Sequence, residues 1–216
     1  KMKTDMDFTS FSPEETAAMR TFLVNERKKY ADAAKMLREC VRLAREEQRI
    51  VVFLEPIALY TTKDLHETGD GGWMQTYPDV SERIALGEVG INGDGTDIAI
   101  ISYANGCYIS LQAQKDLVDK GINARVIDLR WLTPLPEEKM LEAIGPCRHV
   151  LIVDETRQSG GVSESIMTLL AENIHVPFER LASEDSFIPT GPAYASTMPS
   201  KDSIFNAALK LIGEDK

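Results

Sequence analysis

From Ile84 onward the apolar residues fall into short unbroken runs, separated by stretches with helical spacing and punctuated by glycines. Residues 98–102, 124–128, 150–154 and 178–182 read as strands, because each run is rich in β-branched residues and too short for a helix. Helices are expected at 106–120 before Gly121, at 136–144 before Gly145 and at 162 to about 174. A last helix carries Ile204, Ala208, Leu211 and Ile212 as its apolar stripe and stops at Gly213. Continuous apolar strands between amphipathic helices require burial on both sheet faces, so the chain is read as α/β with a mostly parallel sheet. Residues 84–91 form a further strand with no helix before the next one. The turn Asn92-Gly93-Asp94-Gly95-Thr96 permits antiparallel pairing of these two strands, giving a mixed sheet.

The first part of the chain has a different texture. Ser12-Pro13-Glu14-Glu15 has the form of a helix start, and helical composition persists to about Gln48 with a break expected near Tyr30. Val51, Val52, Phe53 and Leu54 make a short β-favouring run that reads as a buried strand ending at Glu55-Pro56. Residues 61–83, rich in Gly, Asp, Thr and Tyr, lack an apolar period and read as a linker or ordered loop.

A chain of 216 residues with 43% hydrophobic residues can bury its own core, and no apolar run approaches a membrane span. It is therefore expected to be soluble. Three scattered cysteines, Cys40, Cys107 and Cys147, argue for reduced thiols in the cytoplasm, with no secretory leader in view. The formal charge of −10 disfavours nucleic acid and anionic membranes as partners.

The strings Val51 to Pro56, Gly95 to Tyr103, Val126 to Leu135 and Val150 to Glu155, then Ser159-Gly160-Gly161, occur in an order that resembles the β subunit of thiamine-diphosphate-dependent 2-oxo acid dehydrogenases. The similarity runs from about Ala33 to about Leu211. It implies a three-layer α/β/α domain with a five-stranded mixed sheet over 84–216, like the transketolase C-terminal domain. Residues 1–60 would then hold a helical segment and the closing helix and strand of a pyrimidine-binding domain, although residues 1–30 do not resemble the family. Transketolases and deoxyxylulose phosphate synthases share this wider fold and remain an alternative, as does a non-catalytic binding module. Glu55-Pro56 favours the dehydrogenase, because the sugar-phosphate enzymes are expected to carry a basic residue there.

The resemblance implies thiamine diphosphate and Mg²⁺ in the intact enzyme, yet no cofactor or metal ligand is expected in this chain. Gly69-Asp70-Gly71 and Gly93-Asp94-Gly95 echo the family's diphosphate motif, but neither follows a buried strand and no Asn-Asn comes after them. Turn chemistry explains both. Glu55 and His66 are weak catalytic candidates at best, one at a strand end and one in a polar loop. Gly160-Gly161 before a helix could present amides to an anion, and Asn105-Gly106 with Asp128 faintly suggests a dinucleotide turn; helix packing is preferred for both. His149 and His175 have no ligand-spaced companions. The implied partners are the thiamine-binding domains or α subunit, a second copy of the chain, and the subunit-binding domain of a lipoyl acyltransferase. Glu179, Glu184, Asp185 and Asp202 are the candidate docking residues, with Glu214 and Asp215 beyond them.

Overall fold

A computed structural model of the chain describes Ser12 and residues 31–213. The expected helix start at Ser12-Pro13 and the break near Tyr30 lie outside the described residues, apart from Ser12 itself. The described residues form two compact units, one of residues 31–53 and Tyr60–Ile84, the other of Leu54–Leu59 and residues 85–213.

In the first unit, helix α1 (Ala31–Glu46) buries Ala31, Cys40 and Leu43 together with Glu39, whose Oε1 pairs with Arg42 Nη2 at 2.6 Å. Arg38 donates through Nη1 to the carbonyls of Asp79 (2.6 Å) and Glu82 (3.1 Å), so the polar segment after Tyr60 is fastened to the helix. Within that segment, Asp70 accepts from the amides of Leu65, His66, Glu67 and Gly72, while Asp64 accepts from Gly69 and Gly71. Two aspartates thus order a loop that has almost no apolar core. Residues 51–54 form no strand, contrary to expectation, and a 3₁₀ turn at Ile57–Leu59 follows. The physical reason is the lack of a partner: among the described residues no backbone ladder reaches the run, and Val52 is 78% exposed.

The second unit is the three-layer sandwich. Its strands are β1 (Gly90–Asn92), β2 (Ile98–Ser102), β3 (Ala124–Asp128), β4 (Val150–Arg157) and β5 (Phe178–Ser183), in the order β1-β3-β2-β4-β5. The helices are α2 (Ala104–Asp119), α3 (Glu137–Ile144), α4 (Val162–Asn173) and α5 (Lys201–Ile212). β1 is antiparallel, but it pairs with β3 and not with β2. Both edges of β2 are occupied by parallel neighbours, so the free edge of β3 is the one available to β1.

Side-chain alternation divides the core between the two faces. Ile98, Ile100, Val126, Leu151 and Val153 pack beneath α2 and α5, with Leu117, Ile204 and Ala208 closing over them. Ala99, Ile101, Ile127, Val150 and Ile152 face α3 and α4, against Met140, Ile144, Ile166 and Leu170. β2 therefore feeds a helix on one face and the adjacent β4 feeds a helix on the other. That reversal is the topological switch point, where an open α/β sheet has its crevice.

Candidate functional site at the carboxyl edge of the sheet

At this crevice strand alternation continues past the last apolar residue. Asp154 follows Val150 and Ile152 onto the α3/α4 side, and Glu155 follows Leu151 and Val153 onto the α2/α5 side. Neither helix that starts here supplies its own cap: the residues before α2 and α4 are Tyr103 and Gly161, and neither caps through a side chain. Asp154 fills the gap for α4, its Oδ2 accepting from Ser163 N at 2.9 Å. Its Oδ1 accepts from the Tyr103 hydroxyl (2.7 Å) and from Thr156 N (2.9 Å) and Oγ1 (2.8 Å). Glu155 reaches the start of α2, where Asn105 Nδ2 donates to Oε1 at 2.5 Å and the Gly106 amide also bonds to it. Two successive carboxylates of one strand thus cap two helices on opposite faces, and each lies where the helix dipole favours negative charge.

Close approach of backbones makes this possible. A Cβ on Gly161 would stand 2.5 Å from Thr156 Oγ1 and 3.0 Å from Asp154 Oδ2. One on Gly106 would meet Ser102 Oγ, whose hydroxyl is already committed to Val153 O at 2.9 Å. Ala104 and Arg130 follow the ends of β2 and β3 with φ of 49° and 57°, left-handed conformations that cost a non-glycine residue about 1–2 kcal/mol each.

The two carboxylates differ electrostatically. Burial pushes Asp154 upward, but hydrogen bonds from Tyr103, Thr156 and Ser163 outweigh it and hold the group below the ordinary aspartate value. For Glu155 burial prevails over the bonds from Asn105 and Gly106, and its pKa is raised. The Tyr103 hydroxyl is pushed up by burial and by its bond to Asp154.

Among the described residues, the remaining sequence candidates are not hydrogen-bonded to Asp154 or Glu155. Glu55 is exposed beside the 3₁₀ turn of the second unit, whereas His66 is exposed in the loop of the first, its amide bound to Asp70 at 2.8 Å. Asp128 is held by Arg130, through the backbone amide at 3.3 Å and Nε at 3.6 Å. His149 Nδ1 lies 3.0 Å from Asp97 O. Glu179 on β5 pairs with Lys210 at 3.7 Å, and Glu184 and Asp202 are exposed. Asp185 is also exposed, but Ser159 donates to it through both N (2.9 Å) and Oγ (2.5 Å). Glu214 and Asp215 lie outside the described residues.

The described residues do not fit thiamine diphosphate and Mg²⁺. Both oxygens of Asp70 are already taken by backbone amides, Gly69, Gly71 and Gly93 have positive φ as turn residues, and the starts of α2 and α4 hold the protein's own carboxylates. Gly160-Gly161 and Asn105-Gly106 serve helix packing and capping. The sequence reading gave Asp154 and Glu155 no role of their own. The signal was present as two helix starts without a Ser, Thr, Asp or Asn cap, which leaves amides for another segment to satisfy.

A family model described as "Transketolase, C-terminal domain" matches residues 87–204, more than half of the chain. The chain belongs to this family. Among transketolase C-terminal domain relatives, the pyruvate dehydrogenase E1 component subunit beta of Bacillus subtilis is 26% identical over 166 residues, covering 75% of this chain and 48% of that protein. The 2-oxoisovalerate dehydrogenase subunit beta of the same organism is 34% identical over 119 residues, 53% of this chain and 36% of that protein. A 1-deoxy-D-xylulose-5-phosphate synthase from Halothermothrix orenii is 32% identical over 151 residues, 68% of this chain but 24% of the synthase. A solved structure, a split-gene transketolase as an inactive beta4 tetramer, superposes with a TM-score of 0.57 at 22% identity, covering 66% of this chain and 49% of the other. That likeness establishes the fold alone. The chain spans about half the length of the pyruvate dehydrogenase β subunits it matches. No helix among the described residues is long and apolar enough to cross a membrane.

Proposed function

We propose that this chain is part of the decarboxylating component of a 2-oxo acid dehydrogenase, which oxidatively decarboxylates pyruvate or a branched-chain 2-oxo acid and passes the acyl group to lipoyl-lysine. The observation that carries this reading is the similarity to pyruvate dehydrogenase E1 β subunits across 75% of the chain. When bound in the intact enzyme, thiamine diphosphate with Mg²⁺ supplies the electron sink, and it is held by domains other than this one. The carboxyl-edge site supports such a division of labour, because its two carboxylates are spent on the starts of α2 and α4 and leave the domain to assembly and docking. The assembly is a cytoplasmic homodimer of this chain with the thiamine-binding domains or α subunit, a setting that suits three free, buried cysteines. The acidic residues Glu179, Glu184 and Asp202 face the basic subunit-binding domain of a lipoyl acyltransferase, while Asp185 is committed to Ser159.

A second reading, condensation with a sugar phosphate, is favoured by the 32% identity to the synthase. Assay of the intact gene product separates the two. Acyl transfer from pyruvate or a branched-chain 2-oxo acid to lipoyl-lysine supports the first; formation of 1-deoxy-D-xylulose 5-phosphate by condensation with a sugar phosphate, without acyl transfer, replaces it with the second.

A further inference from the structure

Residues 49–55, Arg-Ile-Val-Val-Phe-Leu-Glu, leave one set of apolar side chains uncovered. Ile50, Val52 and Leu54 are 98%, 78% and 70% exposed, whereas Val51 and Phe53 between them are partly covered. Exposure that alternates with period two is the pattern of a strand with one side open. The segment is bounded at both ends. At its start Gln48 takes a left-handed φ of 55° and Arg49 N donates to Leu43 O (3.2 Å), the six-to-one bond that closes a helix end. At its far end Pro56 opens the 3₁₀ turn, with Leu59 N donating to Pro56 O (3.0 Å). Among the described residues no ladder reaches the stretch between these turns, which holds no Gly, Pro or charge from Ile50 to Leu54. Such a stretch is a template for another strand.

The segment is complementary to itself. When two copies run antiparallel with Val52 opposite Val52, Ile50 faces Leu54 and Val51 faces Phe53, and the open sides of both copies coincide. The same register sets Arg49 of each copy opposite Glu55 of the other, so opposite charges meet at both ends. Arg49 pairs with Glu47 at 2.9 Å but keeps about half of its side chain in solvent, and Glu55 is exposed. Neighbouring registers lose this match. Centring the pair on Val51 sets Glu55 against Glu47, and centring it on Phe53 sets Glu55 against Val51. A parallel pair in register stacks Arg49 on Arg49 and Glu55 on Glu55.

We propose that residues 49–55 are a contact between two copies of this chain, paired antiparallel about Val52, with Ile50, Val52 and Leu54 of both copies on one face and Arg49 against Glu55 at each end. The pairing is isologous and closes at two copies. It gives the second copy in the functional reading above a surface, and it rests on that reading for the second copy alone. A two-stranded ribbon is only marginally stable in water, so the dimer is reversible and depends on concentration.

Sedimentation equilibrium of the full chain tests the register. The parent is expected to dimerise. Arg49→Glu and Glu55→Arg are each expected to raise the dissociation constant about tenfold, and the two together to restore it, since a double swap keeps the facing charges opposite. Val52→Asp sets two carboxylates against each other on the two-fold axis and is expected to leave monomer. Native Cys40, Cys107 and Cys147 are buried, so mild oxidation reads the register through introduced thiols. Val52→Cys should link to itself, and Ile50→Cys should link to Leu54→Cys in a mixture, while Val80→Cys, equally exposed but outside the segment, stays largely unlinked. Because the substituted positions are exposed, thermal unfolding of the dilute monomer should match the parent and so exclude misfolding. A dimer that survives Val52→Asp, or a double swap that associates no better than either single reversal, overturns the pairing and leaves the second copy to another surface. A parent chain that remains a monomer overturns the pairing and the homodimer together, and the acyl-transfer assay still decides the reaction on its own.

Discussion

Two runs of nearly the same composition have opposite fates. Residues 51–54, Val-Val-Phe-Leu, end at a glutamate and a proline; residues 150–153, Val-Leu-Ile-Val, end at an aspartate and a glutamate. The second run is fully buried between β2 and β5, and the first has no strand partner among the described residues, with Val52 and Leu54 exposed. Intrinsic β preference is the same in both. What differs is the supply of neighbours, since a strand is stable only when its amides and carbonyls find a ladder and its side chains find two packed layers. The terminal carboxylates follow suit: beyond the buried run they cap two helices, whereas Glu55 stays exposed.

If the capping role is right, the largest effect belongs to Asp154. Asp154→Ala strands the Tyr103 hydroxyl, the Thr156 donors and the Ser163 amide in a dry site, for a loss of about 4 kcal/mol. Urea unfolding of the chain measures it, and a loss below about 1 kcal/mol would return Asp154 to the rank of an ordinary surface carboxylate. Leu151→Ala comes next. Leu151 is fully buried beneath the α2/α5 layer, so the cavity should cost about 3 kcal/mol by the same measurement.

How far the sequence reached follows from the same contrast. The strands and helices from Ile98 to Ile212 were legible because each carries its own period and its own stop, such as Gly121 after α2 and Gly213 after α5. The pairing of β1 was not, because Asn92-Gly93 shows only that the chain turns and not which strand edge is vacant. Residues 51–54 were misread because periodicity reports side-chain pattern and says nothing about partners. Glu55 and His66 stand out in the sequence as titratable groups, and both are exposed. Asp154 and Glu155 do not stand out, because a donor in one segment and an acceptor about 50 residues away are linked only by the fold.

The two capping carboxylates provide a test with opposite signs. Asp154 is held below its ordinary value, so its contribution is present above the unfolded-state pKa and is lost as pH falls toward the folded value. Glu155 is raised by burial, so the folded state keeps its proton longer than the unfolded one. Stability then falls as pH climbs from the ordinary glutamate value to the folded one, and is flat above. Glu155→Gln retains an acceptor for Asn105 and removes the buried charge. At about pH 7 the variant should melt above the parent, and the gap should shrink toward about pH 4. A variant that melts lower at neutral pH would show that the charge at the start of α2 is worth more than its burial costs.

The smallest expected effect lies in the exposed run and bears most directly on the comparison. Val52 is 78% exposed and has no ladder partner among the described residues, so Val52→Ser removes little buried area. The change in unfolding free energy should stay within about 0.5 kcal/mol. The matching substitution in the buried run, Val153→Ser, places a hydroxyl in the apolar layer beneath α2 and α5 and should cost about 2 kcal/mol or more. Measured side by side by urea unfolding, the pair holds chemistry constant and varies only the surroundings. Equal losses would mean that residues 51–54 are packed as a strand in the isolated chain. A loss confined to Val153→Ser would confirm that the layered neighbours, and not the Val-rich sequence, make the strand.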